Sequence, residues 1–288
     1  MVITKVDVAG QADGSAPADH PDAPNEPVPA GPESGPEAGP ENGPEAGPEA
    51  GPESGPDLPD GLGSDTIGSR TIFSDNFDGG YEVYWQLGES SDGPITATTD
   101  GTNNIVALDS TQADFTRLRS NLLGQYFTDV NITASMKIRI DQAPTSTRTV
   151  RLDVRQSAAT ANIFYAVGAT IGIDGSMSKV SVFKKVDDGA GNYTICELAA
   201  GAQFATPVKM NQWRTIKLTI TGTTNVRLTA YFEDLAMATY TDDCVTPLPA
   251  TNGAKVPNGG CLASQTGLGI QVEKGIAASV DDVVVTTP

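Results

Sequence analysis

Histidine is almost absent from this 288-residue sequence: the single one is His20, near the start. Beyond it, serine–histidine–aspartate, cysteine–histidine and histidine–metal chemistry have no residues to work with. Positive charge is scarce too, with 18 Lys and Arg against 36 Asp and Glu and a formal charge of −18. Phosphate recognition needs clustered basic side chains, so a nucleic-acid partner is not expected. No apolar run approaches the length of a membrane span, so none is expected. The apolar start Val2-Ile3-Thr4-Lys5-Val6 is also shorter than the roughly 7–15 residues of a signal-peptide core. Residues 1–70 contain no Trp, Tyr, Phe or Cys. A stretch without aromatics has little to bury.

What residues 1–70 do contain is 13 of the 20 prolines and 14 acidic residues against 2 basic ones. From 31 to 58 they run in a period of four: GPES, GPEA, GPEN, GPEA, GPEA, GPES, GPDL. Collagen needs glycine at every third position, so this is another kind of repeat. Dense proline and glycine with one carboxylate per repeat predict a disordered acidic tail or spacer. At ~3.1 Å per residue in a polyproline-like geometry, residues 31–58 would reach at most about 87 Å.

Residues 71–288 read as one all-β domain. Ile132, Ala134, Met136, Ile138 and Ile140 alternate with polar residues, as do Val150, Leu152 and Val154. The same holds for Ile216, Leu218 and Ile220, and for Val226, Leu228, Ala230 and Phe232. A period of two puts one face of each strand inward and the other outward, as in antiparallel sheets packed into a sandwich. Turn signals such as Asp174-Gly175, Asp187-Asp188-Gly189 and Asn258-Gly259-Gly260 separate the strands. Helix is expected only in short pieces near 158–161. The architecture predicted is a two-sheet antiparallel jelly roll of about a dozen strands.

Cys244 and Cys261 bracket a Pro-, Gly- and Asn-rich insertion. A disulfide there would close a short loop, contribute roughly 3 kcal/mol and imply an oxidising compartment. Cys196 is then odd, either buried as a small apolar residue or a free thiol. The polar faces of the strands carry Lys137, Arg139, Arg151, Asp153, Arg155, Arg227 and Tyr231. Gathered on one sheet they would make a cationic patch able to take an acidic glycan. Spread out, they would be solvated faces with cross-strand ion pairs. Two arginines flanking Asp153 should lower its pKa. Trp85, Tyr81 and Tyr84, in a glycine-flanked loop, are the candidate exposed aromatics for a sugar, with packing into the core as the alternative.

Three segments in order resemble concanavalin A-like (laminin G-like) jelly-roll domains. The run Phe73-Ser74-Asp75-Asn76-Phe77-Asp78-Gly79-Gly80, followed by Trp85, looks like their opening strand. Gln212-Trp213-Arg214-Thr215-Ile216-Lys217-Leu218 with Val226 to Phe232 looks like their W-x-x-(I/L) strand pair. Gly267-Leu268-Gly269-Ile270 and Ala278-Ser279-Val280-Asp281-Asp282-Val283 look like their closing strands. The resemblance implies a fold used mostly to bind glycans or proteins and sometimes to cut polysaccharides. It also implies that Trp213 packs into the core and that the first and last strands are neighbours. That neighbourhood would bring Asp75 and Asp78 towards Asp281 or Asp282, and would suit a structural calcium ion. The alternative is ordinary strand-end acids, since Asp281 and Asp282 point to opposite faces and at most one can aim into a given site. Laminarinase-type members carry E-x-D-x-x-E on one strand, placing an acid and a nucleophile side by side; this sequence has no such motif. The expectation is therefore a non-catalytic, extracellular or surface-attached module. Its ligand would be a carbohydrate or cell-surface polymer at Arg151, Asp153, Arg155, Trp85, Tyr84 and Tyr231. A protein partner, self-assembly or an atypical polysaccharide-acting site are the alternatives.

Overall fold

The computed structural model describes residues 69–89, 91–120, 131–157, 160, 162–250, 253–263 and 265–288, all within the compact unit Gly63–Pro288. The repeat at 31–58 and most of the short helical stretch expected at 158–161 lie outside them.

The strands in chain order are β1 (Arg70–Asp75), β2 (Trp85–Leu87), β3 (Ile95–Asp100), β4 (Asn103–Asp109), β5 (Phe115–Ser120) and β6 (Ile132–Gln142). Then come β7 (Arg148–Gln156), β8 (Phe164–Ile171), β9 (Met177–Asp187), β10 (Tyr193–Ala199), β11 (Arg214–Thr221) and β12 (Val226–Phe232). The last are β13 (Leu235–Asp242), β14 (Leu248–Pro249), β15 (Lys255–Val256), β16 (Gly267–Glu273) and β17 (Ala277–Thr287). A single turn of 3-10 helix, Tyr81–Val83, interrupts them. The first sheet runs β13-β12-β11-β6-β17-β4-β3, with β1 also paired to β17, and the second runs β10-β9-β8-β7-β16-β5-β2. Every pairing between the described strands is antiparallel. The two sheets make the sandwich that the period-two pattern predicts.

The alternation translates directly into packing. Ile132 to Ile140 on β6, Val150 to Val154 on β7, Ile216 to Ile220 on β11 and Val226 to Ala230 on β12 contribute their apolar members to one core. On β17 the phase shifts once. Ala278 and Val280 point inward, then Val283 and Val285 do, because a bulge at Asp281-Asp282 absorbs one residue. Without it, a one-residue slip would turn the second half of the strand inside out. At the same bulge β17 exchanges neighbours: Ala277 to Val280 pair with β4, and Val283 to Thr287 pair with β1.

The insertion after β13 folds back as the small β14–β15 pair. Cys244 and Cys261 are joined across a separation of 17 residues, as the spacing suggests. Cys196 is a buried free thiol packed with Val186, Leu248 and Val256.

Candidate functional site

The outer face of the second sheet carries most of the domain's unusual chemistry. Period-two alternation points Arg117 and Arg119 outward from β5, Gly269 and Gln271 from β16, and Arg151 and Asp153 from β7. From β9 it presents Phe183 and Lys185. Register places Asp153 opposite Gly269 on one side and Ala166 on the other, with Arg119 one strand further out. Arg151 lies in the next row, opposite Gln271 and Gly168.

Two glycines explain why large polar side chains lie flat here and become buried. A Cβ at Gly269 would meet Gln156 Nε2 at 2.9 Å and Asp153 Oδ2 at 3.3 Å. One at Gly168 would meet Phe183 Cε2 at 2.7 Å and Arg151 Cγ at 3.0 Å. The missing methyl groups are the space that Asp153, Gln156, Arg151 and Phe183 occupy. Arg151 and Asp153 are consequently only 4 % and 3 % exposed.

Ion pairing on this face is uneven. Arg117 holds Asp92 through Nε and Nη2, the latter at 2.7 Å, and Glu89 at 3.0 Å. Arg151 Nη1 donates to Glu273 at 2.5 Å and to Thr149. Lys179 pairs with Glu197 at 2.8 Å, and Lys185 donates to Asn162 at 3.0 Å. Asp153 is the exception. Its closest cation is Arg151 Nε at 4.0 Å, and Asp153 Oδ1, Arg151 Nε and Arg119 Nε have no hydrogen-bond partner among the described residues. Burial pushes the Asp153 carboxyl up to about 6, against the pull of Arg151, Lys185, Arg119 and Arg117. The downward shift expected from flanking arginines is overturned because desolvation outweighs them. Burial also works against Glu273, but Arg151 and Thr149 hold it below its usual value.

Asp153, Arg117, Arg119, Gln271, Lys185 and Phe164 surround a pit of about 10 Å³, space for one water-sized group. Beyond Arg151 the face opens into a groove of about 400 Å³ whose lining includes Arg148, Lys179, Phe183, Ile195, Glu197 and Glu273. It has an apolar floor and charged walls.

Other candidate residues lie elsewhere. Arg155 occupies a bulge at φ 52°. The bulge breaks the alternation, so Gln156 takes the outward place and Arg155 reaches the Gly222 carbonyl at 3.5 Å in the opposite sheet's hairpin. Arg155 therefore does not join Arg151 and Asp153. Trp85 is not an exposed platform. It is 1 % exposed, packs against Phe73 and Phe77, and donates Nε1–H to Asp75 at 2.7 Å. Tyr84 is exposed, edge-on to Phe73, near the opening strand. Tyr231 lies on the outer face of the first sheet beside Lys217, away from Arg151. Lys137, Arg139 and Arg227 belong to the first sheet too, so the patch that would have gathered all these cations is divided between two faces. Trp213 is half-buried rather than in the core, stacked on Arg139 and bonded to Asp100.

The four candidate calcium ligands each face a protein donor. Asp75 accepts from Trp85 and from the Phe77 amide, and Asp78 from Asn76 and Asn104. Asp281 accepts from Asn103 and the Asp282 amide, while Asp282 pairs with Lys137.

The sequence reading did not single out Arg117, Arg119, Lys179, Lys185, Gln271 or Glu273. Thr116-Arg117-Leu118-Arg119 has the required alternation, and Gly269-Ile270-Gln271 marks a glycine on a polar face. Both signals are short. Only the strand order brings them beside Asp153.

No protein-family model and no curated protein matches the chain. Solved structures that resemble it include the carbohydrate-binding module CBM66 from Bacillus subtilis, at 18 % identity over 69 % of this chain and 92 % of that one, TM-score 0.44. The Bacillus licheniformis beta-glucanase aligns at 11 % identity over 78 % of this chain and 100 % of its own, TM-score 0.44. An endo-beta-1,4-glucuronan lyase from the fungus Trichoderma reesei aligns at 9 % identity over 76 % and 96 %, TM-score 0.42.

Proposed function

We propose that this domain is a non-catalytic carbohydrate-binding module, extracellular or surface-attached, that takes a glycan on the outer face of its second sheet. One observation carries the reading: Asp153 Oδ1, Arg151 Nε and Arg119 Nε are buried without partners, with Arg151 lining the open groove and Asp153 and Arg119 lining the small pit. Buried polar atoms are normally satisfied, by protein, water or ligand. A carboxylate that accepts and guanidinium groups that donate complement a sugar hydroxyl, which does both. Phe183 and Ile195 give the groove an apolar floor for the C–H face of a sugar ring. The disulfide supports an oxidising location.

The raised pKa of Asp153 favours a second reading, in which it acts as a general acid. Glycoside hydrolysis asks for a second working carboxyl roughly 5–9.5 Å away. Glu273 and Glu197 are engaged by Arg151 and Lys179, which favours binding over cleavage.

A glycan array probed with the full chain, followed by titration calorimetry on the hits, tests both. Saturable binding that weakens at least tenfold in Asp153→Asn and in Glu197→Ala supports the module. Release of shorter sugars on incubation would instead favour the enzyme. Binding that is indifferent to both substitutions, or no binding to any neutral or acidic glycan, would refute the assignment to this face.

A further inference from the structure

The interior holds a second polar cluster with no part in the glycan face. Lys184 sits on β9 between Val182 and Val186, on the side that alternation turns inward, and is 0 % exposed. Its Nζ donates to Asp242 Oδ2 at 2.8 Å, to Asn258 Oδ1 at 2.6 Å and to the Gly260 carbonyl at 2.7 Å. Asp242, also 0 % exposed, bridges the other two side chains. Its Oδ1 accepts from Asn258 Nδ2 at 2.9 Å and from the Cys244 amide, and its Oδ2 accepts from Tyr165 Oη at 2.7 Å. Asn258 Nδ2 also donates to the Thr246 carbonyl, so the orientation of its amide is fixed by an acceptor-only partner on one side and the lysine on the other. Val186, Cys196, Leu248 and Val256 form an apolar cluster in the same region.

We propose that Lys184 and Asn258 join in an intramolecular isopeptide bond, with Asp242 as the proton carrier. The reacting atoms are in reach. With Nζ 2.6 Å from Oδ1 and a carbonyl bond of about 1.2 Å, Nζ lies within about 3.8 Å of Asn258 Cγ, against about 3–3.5 Å for a near-attack arrangement. The group that must leave, Nδ2, is already hydrogen-bonded to Asp242.

The step balances without any co-reactant. Asp242 takes a proton from the Lys184 ammonium, and the free amine attacks Cγ. The Nζ–Cγ bond forms and the Cγ–Nδ2 bond breaks. Of the two protons that Nζ sheds, one ends on the departing nitrogen, which leaves as ammonia, and the other stays on Asp242. Burial pushes the Lys184 ammonium down, towards the amine that attack requires, although Asp242 opposes the shift. Fixed geometry in a water-poor interior supplies the effective concentration that a free lysine and amide lack. The bond would tie β9 to the segment following β15, spanning 74 residues. It would run beside a disulfide that holds the same segment and, unlike that disulfide, it would survive reduction.

Intact-mass spectrometry of the reduced full chain is the test. The expected result is a mass below that of the sequence by one ammonia, with tryptic peptide 180–185 recovered covalently joined to peptide 256–274. Loss of ammonia from Asn258-Gly259 as a cyclic imide would give the same intact mass, so the joined peptide decides. In Lys184→Arg the joined peptide should vanish while the chain still folds, and any ammonia loss that remains should map to a cyclic imide at Asn258-Gly259. A wild-type chain of full sequence mass after prolonged incubation, with the two peptides separate, would overturn the proposal. So would ammonia loss in the wild-type chain that maps only to a cyclic imide at Asn258-Gly259, with no joined peptide.

Discussion

Replacing Asp153 with asparagine should change the pH dependence of stability in a defined direction. The carboxyl is raised from 3.8 to about 6 in the folded domain. Between those values the folded chain holds a proton on Asp153 that the unfolded chain has lost. Stability from this group is therefore complete below about pH 4 and disappears as the pH rises through about 6. The gap of about two pKa units corresponds to about 3 kcal/mol. Asparagine has nearly the same shape and no proton to lose, so the variant should lack this term. The assay is urea unfolding of both proteins from pH 3.5 to 7.5, read as the difference between them. Carboxylates held low by their partners, such as Glu273, lose stability towards acid in both proteins and largely cancel in the difference. The stability of Asp153→Asn relative to wild type should rise by about 2 kcal/mol from pH 4 to 7, where most of the full difference falls. A flat difference, or one that falls with pH, would show that Asp153 is paired and solvated and that the pit is not what it is described to be.

Gly269→Val should crowd Gln156 and Asp153, cost about 1–3 kcal/mol in urea unfolding and abolish glycan binding in calorimetry. Trp85→Ala should cost about 3–5 kcal/mol because it empties a core site, visible as an earlier denaturant midpoint. Tyr231→Ala, on the opposite face, should leave glycan affinity within twofold and stability within about 0.5 kcal/mol. Removing the disulfide by a Cys244→Ala, Cys261→Ala double substitution should cost about 3 kcal/mol, read as a shift in denaturant midpoint.

The fold was legible because burial acts residue by residue along a strand. Ile132 to Ile140 announce their inward face without reference to any neighbour. The site was less so, because it depends on what alternation cannot express. Asp153 was visible as an outward carboxyl, but its elevation comes from burial by strands that lie far away in sequence. Arg155 obeys the pattern on paper and breaks it in space, since one bulge residue turns it across the sandwich. Trp85 stands in a glycine-flanked segment that reads as a loop, yet the indole fills the core because Asp75 meets its N–H there. Lys184 looks like any charged residue of an alternating strand. Its inward direction becomes significant only once Asp242 and Asn258 converge on it.

The exchange of partners along β17 has a consequence for the order in which the chain folds. β7, β8, β9 and β10 follow one another as hairpins and can pair as they leave the ribosome. β1 cannot, because among the described residues its partner is β17 alone, and Thr287 meets Arg70 across 217 residues. Of the described strands, the first to be synthesised must therefore wait, unpaired, for the last. Closing so long a loop is entropically costly and slow, which makes docking of β1 a candidate for the last step of folding. Until it docks, the Val283–Val285 end of β17 has no partner on that side, and a nascent or partly unfolded chain offers that edge to its neighbours.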